Sequence, residues 1–165
     1  LTHEDVIKAL YKASCAGVKV LLNVRGICML VPGVKGMSEN IKVVSIVDRY
    51  LEHSRIFYFQ NGSDSEIYLA SADWMPRNLE RRVELMFPIL DKKVFKEVKS
   101  ILDVYFEDNC NAHELKKDGE WIPVLLEEGQ SKRRSQELLY KKYKRRNDSY
   151  EKIKQKKFEV RKKIE

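Results

Sequence analysis

Apolar positions recur at helical spacing near the start of the chain. Val6, Ile7, Leu10 and Tyr11 follow Thr2-His3-Glu4-Asp5, which predicts an amphipathic helix with a Thr2 N-cap and Asp5 three residues on. Gly17 marks its end. The pattern then changes. Val18–Val24 reads as a mostly buried strand and Ile41–Val47 as a second, giving the helix-then-strand unit of a layered α/β domain. Ile56-Phe57-Tyr58-Phe59 and Ile67-Tyr68-Leu69-Ala70 flank Asn61-Gly62, a short-range hairpin signal. Val83–Phe87 predicts a further strand. Val94, Phe95, Val98, Ile101, Leu102 and Tyr105 form the apolar stripe of a helix that covers one sheet face. No internal repeat is present.

The hairpin matters because of what lies at its two ends. If the turn centres near Asn61-Gly62-Ser63, His53 falls opposite a residue close to Ala72. Period-two alternation then puts His53 and Arg55 on one face, and Ser71 and Asp73 on one face. A slip of one residue would separate them. Arg25 sits where the first strand stops. The loop after it holds Gly26, Pro32, Gly33 and Gly36 but lacks the lysine-plus-hydroxyl ending of a P-loop, so it is not read as that kind of nucleotide cradle.

A chain of 165 residues is long enough for one domain with a proper core. Its 43% hydrophobic content fits a globular protein, and no apolar run approaches the roughly 20 residues of a membrane span. Cys15, Cys28 and Cys110 are odd in number and lack metal-ligand spacing, which points to reduced, buried structural thiols in a cytoplasmic setting. A start at Leu1 with no signal-peptide pattern suggests a piece of something longer.

Charge divides the chain. Residues 131–165 carry 15 Lys/Arg against 5 Asp/Glu, a surplus of +10, while the remainder has 17 against 20, or −3. The expected organisation is therefore a domain over residues 1–130 and a basic tail over 131–165, helical or disordered. Leu138, Leu139, Tyr143, Ile153, Phe158, Val160 and Ile164 are too sparse there for a wide buried stripe. Such a tail is either a solvated helix or an electrostatic attachment for a polyanion, whether nucleic acid, anionic lipid or a phosphate polymer.

His53-Ser54-Arg55 with Ser71-Ala72-Asp73 resembles the phospholipase D superfamily pattern of a histidine, a spaced lysine and a later serine-x-asparagine turn. Arg55 stands where that superfamily has lysine, and Asp73 where it has asparagine. These departures accompany Asn23–Cys28, Pro32–Ile41, Arg49–Arg55 and Ser71–Asn78. The set resembles the bacterial polyphosphate kinase family of the first type, from about Asp5 to Leu115 and on into Ser135-Gln136-Glu137. The resemblance implies an α/β, phospholipase D-like layered domain: a mixed β-sheet flanked by helices, followed by the basic tail. It further implies the last catalytic domain of an enzyme that moves the terminal phosphate of ATP onto polyphosphate, reversibly, through a phosphohistidine in a preceding domain. By that match Arg25 and His53 contact ATP, and His53 is the acid/base partner of the absent nucleophile. Implied partners are the upstream domains, polyphosphate, ATP and ADP, with a homo-oligomer in the full-length protein and no specific nucleic acid. Mg²⁺ is expected with ligands outside this segment, and the location is cytoplasmic, with peripheral membrane association left open. The fragment alone is expected to be inactive.

Elementary chemistry points the same way. Phosphoryl transfer depends on positioning and charge stabilisation, so the guanidinium forks of Arg25 and Arg55 are expected to bind ATP phosphates as clamps. An imidazole can hold or release a proton near neutrality, the task assigned to His53. Asp73 is a candidate to orient it through a ring N–H, with Ser71, Arg77 and Asn78 in support. Glu80 and Glu84 lie among Arg77, Arg81 and Arg82, so an ion-pair network explains those three equally well. His3, His113, Trp74 and Trp121 are read as structural. Two other functions remain open: a polyanion-binding module gripping through residues 131–165, and a phosphodiesterase that completes its site by dimerisation.

Overall fold

The computed structural model describes residues 1–150. In chain order the elements are α1 (Glu4–Cys15), β1 (Val20–Asn23), β2 (Ile41–Ile46), β3 (Ile56–Phe59), β4 (Glu66–Ala70), α2 (Pro76–Arg81), β5 (Met86–Pro88), α3 (Lys92–Phe106), β6 (Ala112–Leu115), β7 (Trp121–Pro123) and α4 (Ser135–Tyr150). Two sheets result: a mixed one in the order β1-β2-β6-β7, and an antiparallel one in the order β3-β4-β5. The expected α/β class with helices flanking a mixed sheet is present, with the hairpin strands set apart in a sheet of their own.

Alternation along β2 explains the layering. Ile41 and Val43 pack with Leu30 and Leu115, against Ile7, Leu10 and Tyr11 of α1. Ile46, on the other face, packs with Ala112 and Tyr105, against Ile101 of α3 and Leu139 of α4. The mixed sheet therefore lies between α1 on one side and α3 with α4 on the other. The second sheet joins this body through α3, where Tyr58 meets Phe95 edge-on at a ring separation of 6.5 Å.

Several sequence expectations shift for identifiable reasons. The N-cap of α1 is His3, without a side-chain cap bond. Tertiary bonds draw the entry strand away from the Thr2 cap: the backbone N–H groups of Thr2 and His3 both donate to the Trp74 carbonyl, at 2.8 and 3.1 Å. The far end behaves as expected. Gly17 adopts φ +83° and its N–H donates to the Ser14 carbonyl at 2.9 Å, a termination only a residue without Cβ makes readily. β1 is not mostly buried, because it is an edge strand; that role falls to β2, which has neighbours on both sides. The strand expected at Val83–Phe87 forms at Met86–Pro88 instead. Its partner β4 gives out near Ser71, whose N–H donates to the Leu85 carbonyl, so nothing remains to pair with Val83, which is 99% exposed. The cysteines also differ: Cys15 and Cys110 are exposed and Cys28 half-buried, all three as free thiols.

Residues 131–144 are not a solvated appendage. Ser135 is buried, Leu139 packs on the Ile46–Tyr105–Ala112 cluster, and the Ser135 N–H donates to Asp108 Oδ2 at 2.7 Å. The expected tail residues Ile153, Phe158, Val160 and Ile164 lie outside the described residues. Among the described residues no helix is long and apolar enough to cross a membrane.

Asp108 is the joint of this assembly. Its side chain is buried, and Oδ1 accepts the backbone N–H groups of Cys110, Asn111 and Ala112 at 2.9, 2.8 and 3.2 Å. Burial alone would raise its pKa, but the converging donors from Asn111, Ser135 and Cys110 outweigh it and hold the carboxyl below its ordinary value. A depressed carboxyl contributes stability above its unfolded pKa of about 3.9 and loses it as pH falls through the lower folded value. The melting midpoint is thus expected to fall as the pH drops below about 4, and Asp108→Asn should flatten that acid limb while lowering the midpoint at neutrality. Thermal melts of both proteins across pH test this; superimposable acid limbs would contradict it.

Candidate active site

Two parallel strands, β1 and β2, pair in the register Val20↔Ile41 to Asn23↔Val44, so their carboxyl ends open on the same side. Ligands of α/β sheets commonly bind outside such ends. The loop leaving β1 begins with Val24, whose N–H donates to the Val44 carbonyl at 2.8 Å, and delivers Arg25 next. The segment leaving β2 runs through residues 47–55 and delivers His53 and Arg55 at the start of the hairpin. The hairpin pairs Ile56↔Leu69 through Phe59↔Glu66, and a bond of 3.0 Å from the Ala70 N–H to the Arg55 carbonyl extends it. Continued to His53, this register falls opposite Ala72, the expected neighbour, although ladder pairing has ceased by then. Asn61 and Gly62 both have positive φ, +47° and +66°, as the turn requires.

Asp73 gathers the cations. Arg55 donates to it through both edges of its fork, Nε to Oδ1 at 3.0 Å and Nη2 to Oδ2 at 3.1 Å. Arg25 Nη2 reaches the same Oδ2 at 3.5 Å. Burial pulls the Asp73 pKa upward, but the Arg55 hydrogen bonds and the charges of Arg55 and Arg25 hold it below the usual carboxylate value, so it stays ionised. One carboxylate between two guanidinium groups leaves the cluster cationic, as a site for anionic oxygens must be.

Asp73 does not orient His53 directly. Arg55 stands between them, its Nη1 lying 3.0 Å from His53 Nδ1 and 3.3 Å from the His53 carbonyl. A guanidinium only donates, so Nδ1 must be the acceptor and the ring proton of neutral His53 resides on Nε2. His53 itself is exposed. Arg55 commits four of its five donors in this way, to Asp73 twice and to His53 twice. It acts as an organiser more than as an open clamp. Arg25 is half-buried and among the described residues makes a single long side-chain contact, which leaves most of its fork open.

The remaining candidates lie apart from this cluster. Ser71 Oγ donates to Glu84, accepts the Leu85 N–H at 2.9 Å, and shares Glu84 with Asn78, whose Nδ2 donates at 2.9 Å. Arg82 approaches Glu84 at 3.5 Å, so of the three arginines Arg82 joins an ion-pair network centred on Glu84. These bonds from Ser71 and Asn78 keep the Glu84 carboxyl below its usual pKa. Arg77 is exposed and has no ion pair among the described residues. Trp74 stacks on Phe57 at 4.9 Å, a packing role, and His3 faces Glu80 at 3.3 Å. A groove of about 610 Å³ between Tyr50–Glu52 and α4 touches neither His53 nor Arg25. Among the described residues no group of three or more His, Cys, Asp or Glu side chains is arranged to hold a metal ion.

Sequence reasoning missed the supports behind the histidine segment. Asp48, its side chain almost wholly covered, pairs with both edges of Arg134. Tyr105 places its hydroxyl 3.5 Å from Ser54 Oγ, and burial pushes its pKa up to about 12. Gln136 bonds to Tyr50 and Glu52. Separations of 51 to 86 residues leave no local pattern for such contacts.

Residues 1–136 match the family model described as polyphosphate kinase C-terminal domain 2. The chain is 53% identical over 140 residues to the polyphosphate kinase of Rhodopirellula baltica, covering 85% of this chain and 16% of that protein. It is 51% identical over 142 residues to the polyphosphate kinase of Pseudomonas aeruginosa, covering 86% and 21%. Its fold superposes on the crystal structure of the polyphosphate kinase from Porphyromonas gingivalis with a TM-score of 0.85 at 40% identity, covering 90% of this chain and 23% of that one. The chain thus spans about a fifth of the length of the relatives it matches.

Proposed function

The chain belongs to the polyphosphate kinase family, and from the arrangement of Arg25, His53, Arg55 and Asp73 we propose that it supplies one half of a centre that moves the terminal phosphate of ATP to polyphosphate. The other half, with the nucleophilic imidazole, lies upstream in the full-length protein. In the first step a nitrogen–phosphorus bond forms on that imidazole as the bond from the γ-phosphorus to the leaving oxygen of ADP breaks. In the second, the terminal oxygen of a polyphosphate chain attacks the phosphorus and releases the imidazole; both steps are reversible.

Each residue has a physical task in this scheme. Arg25 binds phosphate oxygens with a fork whose contact to Asp73 is long and leaves it largely open. His53 offers its Nε2 proton to the oxygen or imidazole on which charge develops, and takes it back on reversal. Arg55 holds that tautomer and orientation while adding positive potential. Asp73 keeps the two guanidinium groups together despite their repulsion. Arg77, exposed and without an ion pair among the described residues, is available to a phosphate further along the chain, and the surplus of +10 in residues 131–165 attracts a polyanion over longer range. Ser71 and Asn78 support the turn through Glu84. Mg²⁺ accompanies nucleotide phosphates in this class of chemistry, but the described carboxylates do not fit it as a cluster, so no step here runs through it.

The observation that carries the reading is the Arg55 bridge from the Asp73 carboxylate to His53 Nδ1, which ties the imidazole to the carboxylate that Arg25 also approaches. Transfer of radiolabelled γ-phosphate tests it in two forms, this chain alone and this chain mixed with the upstream region. Silence alone and transfer on mixing is the expected result. Transfer by the isolated chain, or hydrolysis of a simple phosphodiester by it, would instead favour a self-sufficient site.

A further inference from the structure

The segment that presents His53 has no regular secondary structure of its own between Val47 and Arg55, yet an imidazole that must meet a reacting atom needs a fixed backbone. Its order is imposed from behind. The Gln136 side chain takes both backbone groups of one residue: the Tyr50 N–H donates to Oε1 at 2.9 Å, and Nε2 donates to the Tyr50 carbonyl at 2.7 Å. The second Nε2 hydrogen goes to Glu52 Oε1, also at 2.7 Å. This pattern can be made in one amide orientation only, since carbonyl must face N–H and amine must face both acceptors. Arg134 secures Asp48 two residues before the clamp, and the intervening Ser135 is fixed by its N–H on Asp108. Residues Glu52 and Ser54 face this support, while His53 meets Arg55 and Arg55 meets Asp73 on the other side, as alternation in an extended segment demands.

We propose that Gln136 is a positioning residue for phosphoryl transfer, acting through the Tyr50–Glu52 backbone to hold His53 in register with Arg25. The inference rests on the functional reading above. It makes the first turn of α4 part of the reaction centre without touching substrate. Gln136→Glu is the discriminating change, because it keeps the shape and the acceptor for the Tyr50 N–H. It removes both donors and sets a carboxylate against Glu52. Displacement of a catalytic group by an ångström can cost about a hundredfold in rate.

In the full-length enzyme Gln136→Glu is expected to lower kcat by about tenfold to a hundredfold with KM for ATP nearly unchanged, since Arg25 lies on a different loop. Two adjacent carboxylates share a proton more readily as pH falls, so the ratio of variant to wild-type kcat should rise from about pH 8 to about pH 5. Adding Glu52→Gln, which supplies a donor to the new carboxylate, should recover part of the loss. A purely structural residue would move the melting midpoint and leave these ratios flat. Gln136→Met, similar in length and without charge, serves if Gln136→Glu folds poorly, and should show the same kcat-selective loss. Wild-type kcat in either folded variant, or a loss confined to KM, overturns the proposal. His53→Ala measured alongside separates the two ideas. An inactive His53→Ala with an unaffected Gln136→Glu sinks the positioning role alone, and an active His53→Ala sinks both.

Discussion

Full-length enzyme carrying His53→Ala is expected to lose about 10²- to 10⁴-fold in phosphate transfer from ATP, the usual contribution of a well-placed general acid. The loss should fall on kcat, because Arg25 and the upstream region still bind the triphosphate. The fold should survive, since His53 is exposed and Arg55, which its side chain meets, keeps its paired bonds to Asp73. A steady-state assay at saturating ATP, with the melting midpoint measured in parallel, checks both halves. Turnover at the wild-type rate would remove His53 from the chemistry and return it to the ordinary standing of a surface histidine.

Arg55→Lys should be nearly as damaging, and for a geometric reason. Charge is preserved, but an ammonium cannot span Asp73 with two parallel bonds and at the same time reach His53 Nδ1 and the His53 carbonyl. Without a donor at Nδ1, either tautomer becomes accessible and the ring is free to turn. A loss of about a hundredfold in kcat is expected. Arg55→Ala should cost at least as much, because Asp73 then lacks its principal partner. If Arg55→Lys instead retained wild-type kcat, charge alone would suffice and the orienting role would be wrong. Arg25→Lys offers a contrast. Its 3.5 Å contact to Asp73 is dispensable, so the defect should fall mainly on KM for ATP.

Much of the scaffold was legible because its signals are local. The stripe from Val94 to Tyr105 became α3, capped by Asp91, whose Oδ1 accepts the N–H groups of Lys93 and Val94 at 2.8 and 2.9 Å. Asn61-Gly62 fixed the hairpin, and its register alone brought the His53 and Asp73 segments together. What failed depended on topology. Nothing in Val18–Val24 states that β1 lies at an edge, because burial of a strand is decided by neighbours elsewhere in the chain. The Thr2 cap lost to a tertiary bond with Trp74, and Val83 fell outside β5 because β4 had already ended.

The candidate cluster was legible as a set of neighbouring residues and not as a wiring diagram. Arg25, His53, Arg55 and Asp73 do converge, yet sequence could not say that Arg55 intervenes between the carboxylate and the imidazole. Nor could it separate Ser71 and Asn78, which answer to Glu84, from Asp73, two and five residues away. Basic composition concealed the role of residues 134–136 as well. Read as charge, they belong to a solvated tail; read in three dimensions, they hold the histidine segment in place.

The central claim is that His53, oriented by Arg55, acts in the bond-making step itself. Rapid-quench measurement of phosphoenzyme formation from radiolabelled ATP, in a single turnover of full-length wild type and His53→Ala at saturating nucleotide, tests it without interference from product release. A burst in the wild type that slows by about a hundredfold or more in the variant is predicted. A burst of equal rate and amplitude in both would contradict it.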